Sequence, residues 1–220
     1  MADKSRVPNV LMVVAVACAV VTTGLVVRRE LFLPSTAGPR AIRDVEDWQK
    51  YLTHGRVVGD SQAPVKIIEF VDFQCPFCRT FALETWPALQ QEFKDQVVLV
   101  VRHWPLSGHR HAKSAARAAE CAAAQGRFEE FHNLLFEQQD SIGGKPFSRF
   151  AAESRVSDLK AFEACASDTR PIDAIDLTSQ AANEIGFSGT PSALVNNKAL
   201  NFVSVEGVRA RILEVLKAAK

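Results

Sequence analysis

The pattern of hydrophobic and polar positions separates an apolar N-terminal segment from a longer mixed region. Residues 10–27 contain no charged side chain, and as a helix they would span about 27 Å, close to the bilayer's apolar thickness of about 30 Å. The pattern predicts a transmembrane anchor over residues 1–30. The alternatives are a cleaved signal peptide, since Ala17 and Ala19 form a small-x-small site, and a lipid-modified Cys18.

The segment after the anchor is predicted to connect it to a folded domain. Residues 31–55 combine Pro- and Gly-containing sequence with helical spacing at Asp44–His54, and we expect a stalk with one short helix. Residues 56–220 are predicted to form the domain. Two runs of β-branched and aromatic residues near its start, Val65–Phe73 and Val97–Trp104, predict buried strands.

Helical spacing dominates the middle of this domain, between residues 109 and 186. Apolar stripes, glycine stops and a helix cap at either Ser157 or Asp158 divide this part into helices. These helices are predicted at Ala112–Gln125, Arg127–Gln138, Pro146–Ser154, Asp158–Ser167 and Pro171–Gly186. An edge strand at Leu200–Ser204 and a helix at Glu206–Lys220 follow, and Pro87 is expected to kink or divide an earlier helix.

Composition and cysteine content narrow the possible functions. The net charge is +1 at pH 7 and 47% of the residues are hydrophobic, which is ordinary for a globular chain. Because no broad basic surface is implied, nucleic acid is not expected as a partner. Four of the five cysteines lie in the predicted domain, and an even number fits an oxidising compartment.

Two of these cysteines form a Cys-x-x-Cys motif where the first buried strand gives way to a helix. Unpaired N–H groups and the helix dipole at that position stabilise a thiolate, and cysteine pKa values there fall from about 8.5 to roughly 3.5–7.5. We expect Cys75 to be the exposed attacking thiol and Cys78 the resolving thiol, with Pro76 suited to the first helical turn. The alternatives are half of a zinc site, which lacks a second ligand pair in this sequence, and inert core cysteines.

Four stretches carry a resemblance to a known family. They are GDSQAPVKIIEFVDFQCPFC (Gly59–Cys78), WPL (Trp104–Leu106), Ala118–His132 and GTPSALV (Gly189–Val195). Over roughly residues 56–220 the chain resembles DsbA-type thiol–disulfide oxidoreductases of the thioredoxin superfamily. The resemblance implies an α/β thioredoxin-like fold with a helical insertion at about 109–186, a redox-active Cys75–Cys78 disulfide, and no metal or organic cofactor.

Glu69 is the only charged residue on its face of the predicted strand, and it has two interpretations. It is either a partly exposed edge acid or a buried carboxyl whose pKa is raised by desolvation. The resemblance favours the second, because the family places a buried acid six residues before the first active-site cysteine, as Glu69 precedes Cys75. Such an acid would accept the proton of Cys78 as that thiol attacks a mixed disulfide.

The resemblance also assigns a substrate-binding loop. Peptide bonds before proline are cis in only about 5–6% of cases, so Thr190–Pro191 would be trans on frequency alone. In this superfamily, however, a cis-proline faces the Cys-x-x-Cys motif and lets the preceding backbone pair with an extended substrate. We therefore expect substrate to bind to Thr190, Pro191 and Phe77, the last of which lies between the two cysteines of the motif.

Cys121 and Cys165 fall on two of the predicted helices. Outside the cytoplasm they would form a structural disulfide that closes a loop of roughly 45 residues and adds about 3–4 kcal/mol of stability. The alternative is two separate buried thiols that pack as small hydrophobic groups.

Taken together, these features predict a single-pass, membrane-anchored enzyme that oxidises reduced or unfolded secreted proteins by dithiol–disulfide exchange. Arginine or lysine residues flank residues 10–27 on both sides, so charge does not settle orientation, and the chemistry alone places the domain in the periplasm. The resemblance implies that a quinone-linked partner in the inner membrane would reoxidise the cysteines. Phe77 replaces the imidazole of the strongest oxidants in the family, so a reductase or isomerase is the alternative. Another alternative is a non-catalytic module that holds a partner protein or Cu(I) through the two thiols.

Overall fold

The computed structural model describes residues 12–23 and 43–218. The chain divides into two compact units, Met1–Ala41 and Ile42–Lys220. In the first unit, residues 12–23 form a helix, α1, whose side chains are exposed. Among the described residues, no helix combines the length and apolar character that crossing a bilayer requires. Much of the predicted anchor at residues 1–30 lies outside the described residues.

The second unit is built on a mixed β-sheet. Within the described part of the chain this sheet has six strands in the order β1-β6-β5-β3-β4-β2. The strands are β1 (Arg43–Asp44), β2 (Arg56–Val58), β3 (Val65–Val71), β4 (Val97–His103), β5 (Ser192–Val195) and β6 (Lys198–Asn201). β3 and β4 are parallel and the other neighbouring pairs are antiparallel. The two buried strands expected from the sequence are therefore adjacent at the centre of the sheet.

β3 and β4 are buried on both faces of the sheet, which explains their almost continuous apolar sequences. Ile67 and Val71 pack into the larger of two hydrophobic clusters, whereas Ile68 and Phe70 pack into the other. The strand end that carries the Cys-x-x-Cys motif therefore emerges from a rigid core.

Helices cover the sheet, and most of them come from one long insertion between β4 and β5. After β3 the chain forms α2 (Pro76–Thr80), a π-helical turn (Phe81–Thr85) and α3 (Trp86–Phe93). The insertion contains α4 (Ala112–Ala123), α5 (Phe128–Glu137), α6 (Phe147–Glu153), α7 (Leu159–Ser167) and α8 (Asp173–Ile185), and α9 (Val205–Ala218) follows the sheet. This arrangement agrees with the helical block expected at about 109–186.

Two local features of these helices follow from their sequence. Pro87 lies in the first turn of α3, directly after the π-helical turn. Because Pro87 has no N–H to donate to the preceding turn, the helical path widens there instead of continuing as a regular α-helix. At the start of α7, the Asp158 carboxylate accepts a hydrogen bond from the N–H of Ala161 at 2.9 Å, so Asp158 is the cap.

The domain begins earlier than residue 56, the boundary expected from the sequence. A 3₁₀ helix at Trp48–Leu52 buries Tyr51, and β1 pairs with β6. Arg102 of β4 donates hydrogen bonds to the backbone carbonyl groups of Tyr51 (3.1 Å) and Thr53. Residues 43–55 therefore belong to the folded domain, because they cover a buried guanidinium that the sequence pattern did not reveal.

Candidate active site

Cys75 is the N-cap residue of α2, at the point where the chain leaves β3. Its backbone is extended, with φ −78° and ψ 121°, and Pro76 occupies the first position of the helix. Pro76 fits there because its missing N–H would have no helical partner and its φ is already suitable. Phe77 and Cys78 complete the first turn, so their N–H groups lie at the positive end of the helix.

The surroundings of the Cys75 sulfur favour its ionised form. A hydrogen bond from the Cys78 side chain is the largest cause that lowers the pKa of Cys75 from an ordinary 9.0 to about 5, assisted by Thr190 and by the backbone N–H groups of Cys78 and Phe77, and opposed by burial. Burial raises the pKa of Cys78 well above its ordinary value. The two thiols therefore differ in the way that an attacking and a resolving thiol require.

Cys75 is not exposed, which corrects the expectation from the sequence. Only 4% of the residue is accessible, and its sulfur lies 3.3 Å from the backbone oxygen of Thr190. The N-cap geometry turns the sulfur toward the loop before β5, and this loop covers it. Phe77 is 70% exposed and forms the surface beside the sulfur.

Glu69 is fully buried, so the interpretation as an exposed edge acid is wrong. Neither of its carboxyl oxygens has a hydrogen-bond partner. Burial, and to a smaller extent the nearby charge of Cys75, raise the pKa of Glu69 well above its ordinary value. The charge of Glu69 also contributes to the raised pKa of Cys78. Its role as the acceptor of the Cys78 proton stays a prediction.

The loop that covers Cys75 contains the expected proline. The Thr190–Pro191 peptide bond is cis, both residues are buried, and the Pro191 carbonyl oxygen accepts a hydrogen bond from the N–H of Val203 at 3.3 Å. The structure therefore brings Thr190 to Cys75, while Phe77 lies on the exposed side of the motif. Substrate binding by Thr190, Pro191 and Phe77 stays a prediction.

Asp72, which the sequence did not single out, organises the backbone before the motif. Its buried carboxylate accepts hydrogen bonds from the N–H groups of Gln74 (2.7 Å) and Leu106 (2.7 Å) and contacts Nδ1 of His109 at 2.9 Å. Its backbone carbonyl accepts the N–H of Cys75 at 3.0 Å. An acidic residue at the end of a buried strand, directly before the cysteines, was the available signal.

Gln139, in the short 3₁₀ helix after α5, also reaches this loop. Its side-chain Nε2 donates to the backbone oxygen of Phe73 at 2.8 Å and to that of Cys75 at 3.0 Å. No sequence signal could have found this contact, because Gln139 lies in an ordinary polar stretch 64 residues after Cys75.

A cluster of ionisable side chains lies behind the motif, in which His103 and Glu120 are buried and Arg56 is partly exposed. Nε2 of His103 is 2.9 Å from Oε1 of Glu120, and Arg56 also donates to this carboxylate. Although burial opposes ionisation, hydrogen bonds from His103 and Arg56 lower the pKa of Glu120 to about 2. The His103 ring packs against Phe73, so the cluster supports the loop from inside the protein.

The second cysteine pair is remote from this chemistry in sequence and joins two helices of the insertion. The sulfur atoms of Cys121 on α4 and Cys165 on α7 are 1.96 Å apart, with Cα atoms separated by 5.8 Å, and the structure records a disulfide. Nowhere in the part of the chain that the structure describes are three His, Cys, Asp or Glu side chains grouped in a way that could hold a metal ion.

Comparison with known proteins agrees with this geometry. A family model described as thioredoxin matches residues 52–214, and the chain therefore belongs to the thioredoxin family. Among solved structures, a thioredoxin-like oxidoreductase from Silicibacter pomeroyi is 27% identical with a TM-score of 0.64, covering 75% of this chain and 94% of that one. Oxidised BdbD from Bacillus subtilis is 23% identical with a TM-score of 0.68, covering 76% and 95%.

The DsbA-type variant of the fold is also represented. DsbA from Chlamydia trachomatis has a TM-score of 0.61 at 18% identity, covering 74% of this chain and 91% of that one. The fold, its helical insertion and the paired cysteines define a thiol–disulfide oxidoreductase.

Curated relatives extend well beyond the matched region. The Na⁺/H⁺ antiporter NhaA 3 of Salinispora tropica is 34% identical over 168 residues, which cover 74% of this chain and 25% of the antiporter. NhaA 1 of Salinispora arenicola is 32% identical over 197 residues, covering 85% and 29%. The chain thus spans about a quarter of the length of these relatives, and the similarity concerns that portion.

Proposed function

We propose that this protein is a membrane-anchored oxidase that introduces disulfide bonds into reduced or unfolded proteins outside the cytoplasm. A substrate thiolate attacks Cys75 of the oxidised Cys75–Cys78 pair, the intramolecular disulfide breaks, and a mixed disulfide forms. The substrate's second thiolate then attacks its own sulfur in the mixed disulfide and releases Cys75 as a thiolate. The substrate loses two electrons and gains a disulfide, while the enzyme keeps the electrons as a dithiol.

The observation that carries the proposal is the position of Cys75 at the N-terminus of α2 with Cys78 in the first turn, an arrangement that lowers the pKa of Cys75 to about 5. At pH 7, about two units above this pKa, ionisation of Cys75 stabilises the reduced enzyme by about 2.7 kcal/mol relative to an enzyme whose thiol has an ordinary pKa. Each pH unit contributes about 1.36 kcal/mol. For a two-electron couple this shifts the potential by about 60 mV toward the oxidising side. A low pKa also makes Cys75 the better leaving group in a mixed disulfide, which favours release of an oxidised substrate.

A reductase or isomerase is the second candidate, and Phe77 is the observation that favours it. The Phe77 ring has no polar atom, so the residue between the cysteines supports the Cys75 thiolate only through its backbone N–H. We therefore expect a pair that is less oxidising than one with a histidine at this position.

The proposed location rests on the sequence and on the second cysteine pair. The uncharged residues 10–27 support a single-pass anchor in the inner membrane, and a structural disulfide between Cys121 and Cys165 suits the periplasm, where such bonds persist. We include a quinone-linked membrane protein as the partner that reoxidises the enzyme. A reporter fused after residue 220 tests the orientation, and a cytoplasmic signal from that fusion would contradict it.

The direction of electron flow is tested by equilibrating the Cys75–Cys78 pair with a series of glutathione buffers. An oxidase requires a potential well above that of thioredoxin, about −270 mV, and a value at or below it would refute the proposal. Reactivation of reduced, unfolded ribonuclease then measures turnover, with Cys75→Ser as the control. Tight stoichiometric binding of Cu(I) without turnover would instead support the carrier hypothesis.

A further inference from the structure

Gln139 joins the helical insertion to the loop that presents the reactive cysteine. The loop Phe73–Cys75 leads into α2, and the carbonyl oxygens of Phe73 and Cys75 both accept hydrogen bonds from Nε2 of Gln139, at 2.8 and 3.0 Å. A primary amide nitrogen has two N–H groups, so one side chain can serve both acceptors. The Cys75 oxygen also accepts the N–H of Arg79 at 3.2 Å, as the first hydrogen bond of the helix.

Gln74, the residue between these two carbonyl groups, is held by hydrogen bonds to His111 and Asp72. The side-chain oxygen of Gln74 accepts a hydrogen bond from the backbone N–H of His111 at 2.5 Å, at the start of α4. Asp72 accepts the backbone N–H of Gln74 at 2.7 Å. The loop is therefore fixed at its centre by α4 and Asp72, and at both ends by the amide of Gln139.

We infer that Gln139 is a positioning residue for Cys75, which holds the backbone of the N-cap so that the sulfur meets the donors that stabilise its thiolate. Besides Thr190 in the covering loop, those donors are the Cys78 thiol and the N–H groups of Phe77 and Cys78 in the first turn of α2. A hydrogen bond to a thiolate depends on direction as well as distance, so the orientation of the Cys75 Cα–Cβ bond decides its strength. That orientation is set by the backbone whose carbonyl groups Gln139 binds.

The inference rests on the thiol chemistry of the family and not on the proposed direction of electron flow. Ionisation of Cys75 is measured in the same way in an oxidase and in a reductase. A reduction potential typical of a reductase would therefore refute the oxidase proposal and leave this inference standing. An unchanged Cys75 titration in Gln139→Met would refute this inference and leave the oxidase proposal standing.

The experiment compares the reduced full-length protein with Gln139→Met, which preserves the side-chain length and removes both donors. The alkylation rate of Cys75 by iodoacetamide is followed from about pH 4 to 9, with mass spectrometry of the Cys75 peptide to separate it from Cys18 and Cys78. The control is Gln138→Met. Gln138 is an adjacent, half-buried glutamine whose side chain donates a hydrogen bond to Glu153 and accepts one from Lys145.

We expect the midpoint of the Gln139→Met profile to rise by about one pH unit. At about pH 5 the ionised fraction of Cys75 would then fall roughly five-fold, from about one half to about one tenth. At about pH 9, where both proteins are ionised, the variant would react roughly three-fold faster, because a thiolate of higher pKa is the stronger nucleophile. Because the ionised fraction is lower and the thiolate is a stronger nucleophile, the variant should react more slowly than the wild type at low pH and faster at high pH.

Loss of structure would instead move the Cys75 midpoint toward that of an unfolded cysteine, about 8.5, so a rise of about one unit in a folded variant indicates positioning. The inference is overturned if the Gln139→Met midpoint matches that of the wild type, or if Gln138→Met moves it equally. Urea unfolding establishes that each variant is folded. Where Gln139→Met does not fold, Gln139→Asn, which keeps the amide but shortens its reach by one methylene, is measured against the same criteria.

Discussion

Replacing Cys78 with alanine removes the side-chain donor that contributes most to the low pKa of Cys75. The serine variant is its natural counterpart, because Cys78→Ser also eliminates the second sulfur but retains a hydroxyl donor in the first turn of α2. Neither variant can form the Cys75–Cys78 disulfide, so any difference between them in the titration of Cys75 reflects the hydrogen bond.

The expected size of the effect follows from the strength of a hydrogen bond to a charged group, about 1.5–3 kcal/mol. Since one pKa unit corresponds to about 1.36 kcal/mol, loss of this bond raises the pKa of Cys75 by about one to two units. The value in Cys78→Ala should therefore lie near 6 to 7, compared with about 5 in the wild type. Cys78→Ser should stay within about one unit of the wild type, because its O–H still donates.

The assay is the pH dependence of Cys75 alkylation, resolved by peptide mass spectrometry. Unfolding experiments provide a second measurement whose sign is fixed by linkage. A thiol whose pKa is lowered in the folded state stabilises the protein above its unfolded pKa, and this contribution is lost as pH falls through the folded value, here about 5. The stability difference between the reduced wild type and Cys78→Ala should therefore be constant below about pH 5 and increase above it.

A Cys78→Ala midpoint within a few tenths of a unit of the wild type would refute the reasoning. The backbone N–H groups of Phe77 and Cys78 would then suffice to stabilise the thiolate, and the Cys78 thiol would serve only to resolve mixed disulfides.

Three further predictions concern the surroundings of the site. Glu69→Gln should slow resolution of mixed disulfides, measured by quenched-flow trapping. Burial raises the pKa of Glu69 in the folded state, so the unfolding free energy of the wild type should fall by up to about 1.4 kcal/mol per pH unit above pH 4.5. Glu69→Gln should not show this decline, and parallel stability–pH curves for the two proteins would contradict the prediction. Cys121→Ala with Cys165→Ala should cost about 4 kcal/mol in urea unfolding, from a sequence separation of 44 residues, without moving the Cys75 titration. Asp72→Ala leaves two backbone N–H groups without their acceptor and should cost on the order of 3 kcal/mol, so a loss below about 1 kcal/mol in the same assay would show that water replaces the carboxylate.

The sequence predicted the parts of this fold that depend on local patterns. β3 and β4 are continuous apolar runs, the insertion is periodic, and the Cys-x-x-Cys motif lies at the start of a helix. Helix bounds were accurate to within a few residues because glycine stops and the Asp158 cap act locally.

The sequence could not predict what depends on distant contacts. The burial of Cys75 results from the Thr190–Pro191 loop, which lies 115 residues further along the chain. The contact of Gln139 with the Cys75 carbonyl likewise depends on how the insertion packs, and a glutamine among other polar residues carries no distinguishing pattern. Both contacts are products of tertiary structure, which periodicity does not encode.

The guanidinium of Arg102 has a practical consequence for anyone who shortens this protein. It is 2% exposed, and its hydrogen-bond acceptors include the main-chain oxygens of Tyr51 and Thr53. A recombinant fragment cut at residue 56 would remove those oxygens together with the buried Tyr51, and would expose the guanidinium and the apolar surface around it to water. A fragment that starts at residue 43 retains them, and is the sensible choice for crystallisation or spectroscopy.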